Sequence, residues 1–160
     1  MILKGDRNMD MNSIVDILLR THIAVEEEIQ GCSEDEIKEL EKEIGHSLPT
    51  LYRNFLLNVG HHAGLLFQGT DIFFGSIKEL TQEANELLEE NYKSFNLPED
   101  AFVFSMHQGY GFNYFRFSEG KNPPVYQYIE GEGDSKLAWK SFSSFLLDEI
   151  NATFEFIKVL

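Results

Sequence analysis

A single cysteine, Cys32, excludes an internal disulfide and leaves too few thiolates for a cysteine-based zinc site. It also points to a reducing compartment, so the cytoplasm is the expected location. Positive charge is scarce. Thirteen lysines and arginines face 27 aspartates and glutamates, for a formal net charge of −14. A surface of that sign is repelled by nucleic-acid phosphates and by anionic lipid, so neither is expected as a partner. A charged partner should be a basic protein. No apolar run approaches the ~18–20 residues that a membrane-crossing helix needs. The first ten residues, Met1 to Asp10, lack the apolar stretch of a signal peptide and are expected to be loosely ordered. There is no repeat, low-complexity tract or long linker, so residues 1–160 are expected to form one domain.

Apolar residues are plentiful. They make up 42% of the chain, enough for a full core, and most of the 14 phenylalanines lie from Phe67 onward. Met11 to Glu28 is read as a first helix from the loose stripe Ile14, Ile17, Leu18 and Val25. Ser33-Glu34-Asp35-Glu36 is a capping box, followed by Ile37, Leu40 and Ile44 on one helical face. Gly45 suits a left-handed cap. Leu48-Pro49 then opens a second helix, with Pro49 at its first position and Leu51, Tyr52, Phe55, Leu56 and Val59 as its apolar face. The short link between the two predicts a helical hairpin.

After His61-His62-Ala63-Gly64 the period changes. Leu65 to Phe67 and Asp71 to Phe74 are read as short strands about a Gly69 turn. Ser76-Ile77-Lys78-Glu79 is a second candidate capping box, opening a helix from Ile77 to about Tyr92. Strands are then expected at Ala101 to Met106, Phe112 to Phe117 and Val125 to Ile129, with glycine turns between them, and Ser141 is expected to cap a last helix. Short connections make neighbouring strands pair antiparallel. The fold class is therefore α+β: an antiparallel meander packed against an N-terminal helical hairpin and a C-terminal helix.

These landmarks carry a resemblance. Gly31-Cys32-Ser33-Glu34-Asp35-Glu36-Ile37, Leu40-Glu41, Leu48-Pro49 and Tyr52-Arg53-Asn54-Phe55-Leu56 resemble the N-terminal signature of the SUKH superfamily. Gly109-Tyr110-Gly111-Phe112-Asn113-Tyr114, Pro124-Val125-Tyr126 and Ser141 to Leu146 resemble its later elements, in the same order, over about residues 26–150. The chain departs from the pattern at His61-His62-Ala63-Gly64, where the family usually carries a polar, glycine-rich turn. The helix from Ile77 to Tyr92 looks like an insertion. The resemblance implies a SUKH fold and a protein-binding role. Many bacterial members are immunity proteins that neutralise a toxin domain, and a fungal branch is linked to cell-wall regulation.

Catalytic motifs are not assembled in the sequence. Gly109-x-Gly111 lacks the third glycine and following helix of a dinucleotide site, and no Gly-x-Ser-x-Gly elbow occurs. His61 and His62 have only Asp71 as a nearby third ligand, so no metal and no cofactor are expected. An enzymatic role would need His61, His62, Asp71 or Cys32 to converge. The candidate partner-binding residues are the acids of the loop Glu130-Gly131-Glu132-Gly133-Asp134, the run Glu26-Glu27-Glu28, and Tyr110 and Tyr126 as aromatic anchors. The expected partner is a cognate protein toxin, of basic nuclease type, or another basic protein.

Overall fold

The computed structural model describes residues 13–91 and 94–160. Helix α1 spans Ile14–Arg20, and a single short helical turn, Glu26–Glu28, leads into strand β1, Ile29–Gln30. Helices α2, Glu34–Ile44, and α3, Thr50–Val59, form the expected hairpin. Strand β2, His62–Ala63, pairs antiparallel with β1. Then come β3, Thr70–Asp71, α4, Phe74–Ile77, and α5, Leu80–Glu90. The second half supplies β4, Ala101–His107, β5, Gly111–Arg116, β6, Val125–Ile129, β7, Lys136–Trp139, and the closing helix α6, Phe142–Lys158. Strands β3 to β7 make one five-stranded antiparallel sheet in sequence order, so the α+β meander stands.

Local chemistry explains the hairpin. The Glu36 amide donates to Ser33 Oγ at 3.1 Å while Glu36 Oε1 accepts from the Ser33 amide at 3.0 Å, which closes the capping box. Gly45 takes φ +73°, the left-handed cap that stops α2. The Leu48 amide then donates to Glu41 Oε2 at 2.7 Å. One glutamate inside α2 thus fixes the loop that starts α3. Pro49 stands one place earlier than expected, as the extended residue before α3 rather than its first helical residue.

Four other expectations are corrected. The first helix ends at Arg20, far short of Glu28, because His22 adopts φ +59° and the amides of Ile23 and Ala24 both turn back to Leu18 O. No glycine marks that stop. Residues 65–67 form a turn rather than a strand, and β3 is Thr70–Asp71, not Asp71 to Phe74. Ser76 lies inside α4 and caps nothing; α5 starts at Leu80. Strand β7 was not expected, since its alternation is weak and two of its four residues are exposed. Met1 to Asp10, Met11 and Tyr92 lie outside the described residues.

The sheet is covered on both faces. On one, the Tyr52 ring of α3 meets Phe102, Phe104, Phe115 and Phe142 at centroid distances between 5.2 and 6.0 Å. Offset and edge-on pairs of this kind each add about 0.5–1.5 kcal/mol beyond the area they bury. On the other face, Asn91 at the end of α5 donates to Tyr128 OH at 3.2 Å, and Phe112 stacks on Tyr128 at 5.3 Å. One hydrophobic cluster runs from Ile14 to Ile150.

Candidate protein-binding surface

Two hairpin tips meet at one end of the sheet. Gln108 and Gly109 take φ +47° and +76°, and the Tyr110 amide donates to His107 O at 3.1 Å. Two consecutive left-handed residues make the tight turn whose twist matches the flanking strands. In the β6–β7 loop, Gly131 and Gly133 also take positive φ, which lets Glu130, Glu132 and Asp134 stand exposed. The Glu130 amide donates to Tyr110 O at 2.8 Å and ties the two tips together. The Tyr110 ring is 41% exposed and lies edge-on to His107 at 5.3 Å. Tyr114 OH and Ser135 Oγ, 2.9 Å apart, anchor the loop from below. Lys136 reaches Glu132 only at 3.8 Å, in solvent, a contact worth little. Among the described residues Glu130 and Asp134 have no ion pair. Four of the residues singled out in the sequence thus form one acidic, aromatic edge.

The other candidates fall elsewhere. Tyr126 stacks on Tyr114 at 5.2 Å, and its hydroxyl donates to the Glu119 carboxylate at 3.0 Å, so it serves as an internal strut. Glu26, Glu27 and Glu28 are exposed on the turn before β1, which pairs with β2 and not with the five-stranded sheet. Glu28 is partly occupied in closing that turn, accepting from the Val25 amide at 3.2 Å.

Beside the acidic edge the sheet and α6 enclose a groove of about 530 Å³. Its floor is polar. Gln127 Nε2 donates to Asn113 Oδ1 at 3.1 Å, and Asn113 Nδ2 donates to Ser105 Oγ at 3.0 Å, a ladder across three strands. Thr70 Oγ1 sits 3.0 Å from His107 Nδ1. Its α6 wall carries Glu149, whose carboxyl is pushed up by burial, then by Asp148 beside it. Sequence reasoning missed this groove because its residues are scattered from Leu65 to Phe156, and only strand pairing unites them. It also missed an acidic patch on the opposite side, where burial and then Asp71, Glu79 and Glu86 push the Glu83 carboxyl up.

The family model SUKH_6, described as SMI1-KNR4 cell-wall, matches residues 34–146. The chain belongs to this SUKH family. No curated protein matches it. The matched stretch runs from the first turn of α2 into the first turns of α6 and contains Tyr110, Tyr126, Glu130, Glu132 and Asp134. Glu26 to Glu28 and Glu149 lie outside it. Among the described residues of this SUKH chain, no helix is long and apolar enough to cross a membrane.

One side-chain cluster in the SUKH fold bears on catalysis and metals. Cys32, Glu36 and His61 bring their ligand-type atoms within 4.8 Å of one another. Among the described residues they are the ones that could hold a metal ion, and the third member comes from α2 rather than being Asp71. His62 turns away to the Glu28 carbonyl, and Asp71 pairs along β4. Burial first, then Glu36, pushes the Cys32 thiol up to about 12, which disfavours its thiolate at neutral pH. His61 Nε2 lies 2.9 and 3.1 Å from the two oxygens of Glu36, whose carboxyl is held low by the Ser33 amide and by His61. The pair fastens the exit of α3 to the start of α2.

Proposed function

We propose that this chain is an immunity protein that neutralises a cognate toxin by binding and covering it, with no bond made or broken. The observation that carries the reading is the hydrogen bond from Glu130 to Tyr110, which sets an exposed ring beside Glu130, Glu132 and Asp134 on one sheet edge. Tyrosine is a frequent anchor at binding hot spots, and uncompensated acids beside it favour a basic partner such as a nuclease-type domain. Electrostatic steering by such an edge raises the association rate, and salt weakens it over a Debye length of about 8–10 Å. Membership of the SUKH family supports a protein-binding role.

The experiment is co-expression with the toxin encoded by the adjacent gene. The wild type should restore growth and co-purify with the toxin. Growth arrest with no complex would remove the proposal. The second reading is a regulatory role with a non-toxin partner, for which the family's cell-wall description is the support. A neighbouring gene with a secretion module and a nuclease-like end supports immunity, and a housekeeping neighbourhood supports regulation.

A further inference from the structure

We propose that the groove between the sheet and α6 is a socket for an arginine side chain of the partner protein. The inference rests on the protein-binding reading and assigns the chemistry of its deepest contact. The key group is Glu149. It lines the groove from α6, is half-buried, and has no hydrogen-bond or ion-pair partner for its carboxylate among the described residues. The nearest side chain of the same helix acting on it is Asp148, of like charge, and from the sheet His107 acts with opposite sign. His107 makes no ion pair with Glu149 among the described residues, and its Nδ1 lies 3.0 Å from Thr70 Oγ1. A partly buried carboxylate without a partner is costly, and a cation from outside removes that cost.

The rest of the groove selects among cations. The floor offers hydrogen-bonding side chains. The Gln127 amide gives its Nε2 to Asn113, which leaves Oε1 of this groove-lining side chain as an acceptor without a partner among the described residues. Thr153 adds a hydroxyl from the same face of α6, one turn beyond Glu149, though its own proton is given to the Glu149 carbonyl at 2.8 Å. The rim carries Phe156, 62% exposed, one further turn along. A guanidinium is flat, holds five donors, stacks on aromatic faces and sheds water more readily than an ammonium. Those properties match a carboxylate, an amide oxygen and a hydroxyl ringed by phenylalanine. A lysine matches the charge alone. The groove opens beside the acidic edge through His107, which lines it and contacts Tyr110, so one partner surface can meet both.

The test uses N-acetyl-arginine amide, with N-acetyl-lysine amide as the comparison, titrated against the full chain while the side-chain amide signals of Asn113 and Gln127 are followed by NMR. The arginine probe should give saturable millimolar shifts at both residues, and the lysine probe weaker ones. The variant Glu149→Gln, which keeps the shape and removes the charge, should weaken arginine binding about tenfold or more. Absence of saturable shifts, or equal binding by E149Q, would overturn the socket. The two readings fail separately. Arginine binding without a toxin complex defeats the immunity reading and leaves the socket. A toxin complex formed equally by the wild type and E149Q defeats the socket and leaves the immunity reading.

Discussion

Replacing Tyr52 by phenylalanine should stabilise this protein, against the usual cost of a core substitution. Tyr52 is fully buried, and among the described residues its hydroxyl has no hydrogen-bond partner. Burial pushes the phenol above its ordinary range, and Cys32 adds to the effect. Burying a hydroxyl without a partner costs about 1–3 kcal/mol. The ring itself is held by Phe102, Phe104, Phe115 and Phe142 and keeps every aromatic contact in the variant. Against the relief stands the void left by one oxygen, a fraction of the cost of a deleted methyl group. The net expectation is a gain of about 1 kcal/mol, or a rise in Tm of ~2–4 °C for a chain of this size. Urea unfolding followed by circular dichroism measures it, with the slope unchanged. A loss of more than about 1 kcal/mol would refute the reasoning, because it would show that the hydroxyl is bonded inside the core.

Three further outcomes follow from named contacts. Glu41→Ala frees the Leu48 amide at the mouth of α3 and should cost about 1–3 kcal/mol in thermal or urea unfolding. Asp100 is held down to about 2 by Ser118 and then by Arg116, so its contribution is present above the ordinary carboxyl value and is lost as pH falls through about 2. Stability of Asp100→Asn should therefore fall less steeply than that of the wild type between about pH 4 and 2. Cys32, with its thiol pushed up to about 12, should resist thiol reagents in the native protein at neutral pH and react at the rate of unfolding. Rapid native labelling would contradict that burial.

Much of the frame was legible in the chain because it is written in local chemistry. The Ser33–Glu36 box and Gly45 need only neighbours within a turn to act, and both stand as read. Strand β6 and the cap at Ser141 were equally plain, the latter accepting from the Ser144 amide at 3.1 Å. What failed was decided at a distance. Ser76 has the composition of a cap, yet the Phe74 amide bonds Gly60 O at 2.7 Å and starts a helix two residues earlier. His22 stops α1 in a left-handed conformation that composition assigns to glycine. The site divides the same way. The exposed acids after β6 follow from a glycine-rich loop. That Tyr110 stands beside them follows from the pairing of Gly111 with Ile129, a register no single segment states. Glu149 reads in sequence as one more acid on a helix, and only the groove shows its carboxylate without an ion pair among the described residues.

The most direct measurement is a calorimetric titration of this chain with the product of the adjacent gene, taken under the proposal as its toxin, for the wild type and for the combined variant E130K/E132K/D134K, at low and high salt. Occlusion through the acidic edge predicts a stoichiometric complex that weakens with salt, and a variant that folds normally and binds far more weakly. Undiminished binding by the charge-reversed protein, or no heat of association with the wild type, would contradict it.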